Sequence, residues 1–176
     1  GVKTAQPSSD QENNMAEIPY DEETTRDWSW YAVDDDGLVA QFATGTFRRL
    51  PVSVRSDWER AEALIEYFES AQEIGDSTIR PEFQTSEIVA SDPTTFADQG
   101  KRGRYLNTFS EAARKGLFSY DTVLKAPGGY FGVTAPQNPL KLAMLPAEIQ
   151  KELVKTKASV RFRQAVRIPE DVTLQW

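Results

Sequence analysis

Cysteine and histidine are both absent from the 176 residues of this chain. Without cysteine there is no disulfide framework, no thiolate nucleophile, no CxxC redox pair and no cysteine-ligated zinc. Without histidine, the side chain that most often acts as general base near neutral pH is missing. Ser-His-Asp triads, HExxH zinc sites and histidine-ligated iron are excluded with it. An enzyme built on this chain would have to use carboxylates, lysine, tyrosine, serine or arginine. The sequence assigns no catalytic residue, no metal and no cofactor. Long apolar runs are lacking too, so no stretch of about 18 apolar residues is there to span a bilayer. No basic segment followed by an apolar one opens the chain. It begins at Gly1, which leaves room for a removed signal peptide, while Met15 offers an internal start. A cytoplasmic location is the expectation.

What is present is unevenly charged. The formal net charge is -7. Residues 1–100 hold 7 Lys/Arg against 21 Asp/Glu, and residues 101–176 hold 13 against 6. The balances of -14 and +7 predict a surface of two signs. The length suits a single domain with a core of useful size.

Residues 1–27 are polar, acidic at Asp21, Glu22 and Glu23, and without periodicity. They read as a flexible tail with Ile18 and Tyr20 as anchors, and residues 28–176 as one domain. Trp28–Val33 and Leu38–Thr44 are strand-like and flank Asp34-Asp35-Asp36-Gly37. That spacing predicts a β-hairpin, because Asp caps local amides and Gly tolerates positive φ. A calcium loop is the poorer interpretation, since Ala43 stands six residues after Gly37, where an EF-hand needs Glu. Ser56-x-x-Glu59 reads as a capping box for an amphipathic helix over 57–73. Trp58, Ala61, Leu64, Ile65 and Phe68 would face inward, with Glu59, Glu62, Glu66 and Glu69 toward solvent.

Further along, Ser86–Ala90 suggests a short strand and Lys101–Arg104 a basic loop. Thr108-x-x-Glu111 suggests a helix over 109–115, closed by Gly116. Residues 117–140 read as two extended pieces broken at Pro127-Gly128-Gly129, and 146–156 as a helix. Ser159–Val166 alternates apolar and polar residues like a half-buried strand, with Arg161 and Arg163 on its outer side. Val172, Leu174 and Trp176 alternate too. The class is therefore α+β: an N-terminal hairpin, one long amphipathic helix, two shorter helices and a mostly antiparallel sheet.

Two groups of residues are candidates for binding. Trp30 and Tyr31 are adjacent in a strand and point to opposite sides, so a one-sided core cannot hold both. One face would then be covered by helices and the other by a partner or by the tail. Arg102 and Arg104, with Arg161, Arg163 and Arg167, could form a basic stripe. The acidic balance and the lack of an RNP, KH or helix-turn-helix signature weigh against nucleic acid. No pair of carboxylates is singled out by spacing, and Gly128-Gly129 is too short for a phosphate loop.

The run Trp28-Ser-Trp-Tyr-Ala-Val-Asp-Asp-Asp-Gly-Leu-Val-Ala-Gln-Phe42 resembles the opening hairpin of small acidic uncharacterised bacterial proteins of the polymorphic-toxin immunity type. Tyr130, Pro136-x-x-Pro139-Leu140, Leu145-Pro146 and Ile149 resemble their C-terminal half. The resemblance implies a toxin-binding inhibitor and transfers no catalytic residue. The expected function is thus a non-enzymatic protein-binding module of the immunity type. A carboxylate-dependent enzyme and an exported ligand-binding domain are the alternatives.

Overall fold

The computed structural model describes residues 16–46 and 48–176. Its helices are α1 (Tyr20–Thr25), α2 (Val52–Arg55), α3 (Trp58–Ser70), α4 (Glu87–Ser91), α5 (Pro93–Ala97), α6 (Gln99–Arg114), α7 (Ala147–Leu153) and α8 (Glu170–Thr173). Its strands are β1 (Ser29–Val33), β2 (Val39–Ala43), β3 (Ser77–Ile79), β4 (Phe118–Thr122), β5 (Tyr130–Pro136) and β6 (Arg167–Ile168). They form one mixed sheet in the order β1-β2-β4-β5-β3, with β6 also on β5. β2 and β4 run parallel and the other pairs antiparallel. The parallel pair needs a long crossover, and α2 through α6 supply it. The α+β class inferred from the sequence holds.

The turn between β1 and β2 is fixed by one side chain. Asp34 Oδ1 accepts from the amides of Asp36 (3.0 Å) and Leu38 (2.9 Å). Its Oδ2 accepts from the amide of Phe162 at 3.0 Å. This buried carboxylate therefore ties the turn to the C-terminal segment. Gly37 takes φ +74, the left-handed conformation such a turn requires.

A row of rings crosses the sheet in register. Trp30 pairs with Phe42, Phe42 with Tyr120, and Tyr120 with Gly132. Trp30 stacks on Phe42 at 4.0 Å and Phe42 on Tyr120 at 4.8 Å. Gly132 has no side chain, and the Arg80 side chain lies over it. The Arg80 guanidinium carbon is 5.5 Å from the ring centroids of both Tyr120 and Phe118. Its Nη atoms donate to the carbonyls of Phe162 and Ala165 and to Tyr120 Oη.

Several expectations are corrected by these contacts. Ser159–Val166 is a turn and not a strand, because its Phe162 and Ala165 carbonyls are taken by Arg80 and Tyr120 instead of a sheet ladder. Lys101–Arg104 is no loop but the start of α6, which Asp98 caps by accepting from the Lys101 amide at 2.9 Å. Thr108 and Glu111 consequently sit inside that helix. Ser86–Ala90 is helical, with Ser86 as its N-cap. α3 is capped by Asp57 and not by Ser56, and ends at Ser70. Val172 and Leu174 belong to α8 and its cap.

The acidic segment before β1 also differs from the expected tail. Residues 1–15 lie outside the described residues. Ala16 and Ile18 join the domain through backbone bonds to Trp58 (2.9 Å) and Arg55 (2.8 Å). Ile18 is buried, whereas Tyr20 is exposed. Glu23 is buried and accepts from the Leu50 amide at 2.6 Å, with Arg49 at 3.5 Å. The buried carboxylate thus ties this segment to Leu50 by a charge-assisted hydrogen bond.

A Cβ at position 132 would stand 2.8 Å from Arg80 Cδ and 2.9 Å from Nε. Gly132→Ala should therefore destabilise the fold by about 1–3 kcal/mol through overpacking. In an Arg80→Ala background the same change should cost less. Urea unfolding of the double-mutant cycle measures the coupling, and additive costs would exclude it.

Candidate functional site: a cleft between α3 and α6

α3 buries Ala61, Leu64, Ile65 and Phe68, and α6 buries Leu106, Phe109, Ala112 and Ala113. The apolar stripes dock on the same face of the sheet, α3 on β1 and α6 on β4 and β5. Between the helices part of the β1–β2 floor remains uncovered. It holds Ser29, Tyr31 and Gln41, and Tyr31 and Gln41 are directly opposed in the strand register. The walls are Phe68 and Glu69 from α3 and Thr108, Glu111 and Ala112 from α6, with Lys115 at the end of α6. The cleft encloses about 210 Å³.

Its charges are arranged asymmetrically. Lys115 Nζ donates to the carbonyls of Phe68 and Glu69, each at 2.9 Å. The ammonium thereby satisfies orphan carbonyls at the C-terminal end of α3, where a cation is favourable. Glu111 accepts only a 3.2 Å bond from the Asn107 amide, one turn back. Among the described residues, neither Glu69 nor Glu111 belongs to an ion pair. Tyr31 is 2% exposed and stacks on Phe68 at 4.4 Å. Its hydroxyl makes no hydrogen bond to a described residue. Burial first, and then the charge of Glu69, push the phenol well above its ordinary range.

A second groove of about 520 Å³ continues along α3. It is lined by Arg26, Glu62, Ile65, Glu66, Glu69 and Ser70. Arg26 pairs with Glu62 through both guanidinium Nη atoms. Glu66 and Glu69 remain exposed and outside any ion pair among the described residues.

The sequence-derived candidates are distributed otherwise. Trp30 is buried in the ring row and donates its indole N–H to Tyr130 Oη at 3.2 Å, so it offers no binding surface. The one-sided-core argument fails because both faces of β1 are covered. The α3 side takes Tyr31, and Trp176 packs edge-on against Trp30 at 6.1 Å. Arg102 lies on α6 beside Phe83, Gln84, Val89 and Phe96, and Arg104 is exposed on the same helix. Arg161 sits 3.9 Å from Asp36, and Arg163 lines a groove with Arg80 and Phe118. Arg167 is in β6, where it pairs with Glu87 at 2.6 Å and donates to the Gly128 carbonyl. These arginines do not form one stripe, because the segment they occupy is not a continuous strand.

Sequence reasoning passed over Ser29, Gln41, Glu69 and Lys115 as site residues. One signal could have found part of the cleft. Thr108, Glu111, Ala112 and Lys115 recur at i, i+3, i+4 and i+7, which is one helical face. A helix begun only at Phe109 hides this face, whereas α6 starts ten residues earlier at Gln99.

The carboxyl group with the most altered environment lies elsewhere. Asp121, in β4, accepts from Tyr105 Oη at 2.6 Å and from its neighbour Thr122 N at 2.8 Å. Burial raises it to about 6, against the pull of those two donors, with Asp27 adding repulsion. A raised acid is what a carboxylate-dependent enzyme would need. Asp121 lines neither the α3–α6 cleft nor the groove beside it. Among the described residues, no group of three or more acidic side chains is placed to hold a metal ion. No helix of the described residues is long and apolar enough to cross a membrane. Comparison with protein-family models, curated proteins and solved structures finds no match to the chain.

Asp121 gives a pH dependence with a definite sign. Its folded-state value of about 6 lies above the ordinary 3.8. Between these values the folded chain binds more proton than the unfolded one, so stability falls as pH rises. The loss is at most about 1.4 kcal/mol per pH unit and levels off above the folded value. Relative to wild type, Asp121→Asn should gain stability between pH 4 and 6. Urea unfolding across that window checks it, and a pH-independent difference would contradict the assignment.

Proposed function

We propose that the chain is a non-enzymatic protein-binding module that presents the α3 face and the adjoining cleft to a basic partner. The observation that carries this reading is a set of carboxylates left without an internal cation. Glu59, Glu66 and Glu69 on α3 and Glu111 on α6 are exposed and in no ion pair among the described residues. Their neighbour Glu62, also on α3, is paired with Arg26. An unneutralised face costs repulsion in the free protein and is relieved by a cationic surface. Such a face also speeds encounter with that surface.

The immunity-type inhibitor is the specific form of this proposal. It is supported by the resemblance of the Trp28–Phe42 run. A toxin with a basic active face is the corresponding partner, and a toxin gene beside the gene for this chain is the genomic expectation. The enzyme alternative rests on Asp121, whose carboxyl is engaged by Tyr105 outside the cleft.

Affinity capture from a bacterial host, with identification of the bound proteins, tests the proposal. Wild-type protein should retain a basic partner at about 0.1 M salt and lose most of it near 1 M, where the screening length shortens to about 3 Å. The variant Glu59→Gln/Glu66→Gln/Glu69→Gln should retain much less at the lower salt. Equal capture by the variant, or no basic partner under either condition, would refute it.

A further inference from the structure

We infer that the α3–α6 cleft is a socket for a single arginine side chain of the partner. This inference rests on the protein-binding reading and assigns its anchor. Three observations converge on it. The space, about 210 Å³, is below the roughly 300–1,000 Å³ of pockets for whole small molecules. It suits one long side chain and not a nucleotide.

The lining is the complement of a guanidinium. Glu69 from α3 and Glu111 from α6 bring two carboxylates that form no ion pair among the described residues. The one ammonium present, on Lys115, is committed to the Phe68 and Glu69 carbonyls. Phe68 and Tyr31, stacked on each other and buried, form a rigid base beside those acids. Guanidinium has a planar fork of five N–H donors and packs on aromatic surface, whereas an ammonium is a compact, strongly hydrated point charge.

The floor holds an acceptor waiting for a donor. Tyr31 is almost wholly buried, and its hydroxyl has no hydrogen-bond partner among the described residues. The hydroxyl is not sealed in the interior, and Tyr31 lines the cleft, so a donor entering there can reach it. Gln41, directly opposite on β2, offers a further carbonyl oxygen at the floor. An arginine entering between the helices would meet both acids first and the phenol last.

The probe is the blocked tripeptide acetyl-Gly-Arg-Gly-amide, with its citrulline counterpart as the neutral isostere. Titration into the full chain is followed by amide chemical shifts. The arginine peptide should bind saturably, shifting Ser29, Tyr31, Gln41 and Glu111, and the citrulline peptide should not. Glu69→Gln and Glu111→Gln should each weaken binding by about threefold, as for partly exposed charge pairs. Tyr31→Phe should weaken it by about tenfold, the value of one hydrogen bond to a charged group. The same variant should keep or raise the urea midpoint, which separates loss of the socket from loss of the fold. Equal binding of the citrulline peptide, shifts elsewhere only, or no saturation would overturn the inference. The two proposals fail separately. Capture of a basic partner that survives Tyr31→Phe unchanged would leave the acidic face standing and remove the socket.

Discussion

The row Trp30–Phe42–Tyr120, closed by Arg80 over Gly132, is the constraint on which the other parts of this structure depend. Stacking at 4.0 and 4.8 Å joins β1, β2 and β4 on one face and sets their register. A fourth ring would continue the row on β5, but Gly132 leaves that place open for a guanidinium. Arg80 fills it and reaches beyond the sheet to the carbonyls of Phe162 and Ala165. Asp34 grips the same turn from the other end through the Phe162 amide. Between them, the cation and the carboxylate close this face with a turn instead of another layer of helix. Phe162 is thereby brought within 6.1 Å of Phe42 and 5.9 Å of Tyr120.

Closure of that face explains what β1 can offer on the opposite one. Consecutive residues of a strand point to opposite sides. With Trp30 committed to the ring row, Tyr31 must face α3. There its ring is buried against Phe68 while its hydroxyl is left over. The cleft is thus a consequence of packing two helices on a sheet whose first strand carries a polar edge at Ser29 and Tyr31. Had α6 lain closer to α3, the floor would have been sealed and the phenol would have needed an internal partner.

Which parts were legible in the sequence follows from the range of the forces involved. Local patterns determine the inward face of α3, where Ala61, Leu64, Ile65 and Phe68 repeat at helical spacing. They also support the α+β class. Ser159–Val166 misled because alternation signals a strand only when its backbone groups seek a ladder. Here Arg80, about 80 residues earlier, takes the carbonyls instead. Lys101–Arg104 misled for a different reason. Gly100 and Gly103 lower helix propensity, and basic residues oppose the macrodipole at a helix start. The Asp98 cap and the packing of Phe109 and Leu106 outweigh both. The candidate site was partly legible, at Tyr31 and on the acidic face of α3. The remainder was not, because Ser29, Gln41 and Glu111 come together only through the sheet register and the placement of α6.

The charge asymmetry of the chain acquires a spatial meaning from these placements. α6 opens with Lys101, Arg102 and Arg104 just after its Asp98 cap, ends on Arg114 and Lys115, and carries Glu111 one turn before that end. Of the α3 glutamates, Glu69 lines the cleft with Glu111, and Glu62 and Glu66 line the neighbouring groove, while Lys115 serves the backbone. The cations in the first turns of α6 oppose its dipole, whereas Arg114 and Lys115 favour it, and Glu69 and Glu111 place like charges on one cleft. The protein elsewhere matches Arg48 with Glu170, Arg114 with Glu73 and Arg167 with Glu87, so charge pairing is within its means. Glu69 and Glu111, outside any ion pair among the described residues and above a Tyr31 hydroxyl that lines the same cleft, form the arrangement that the proposed arginine would complete.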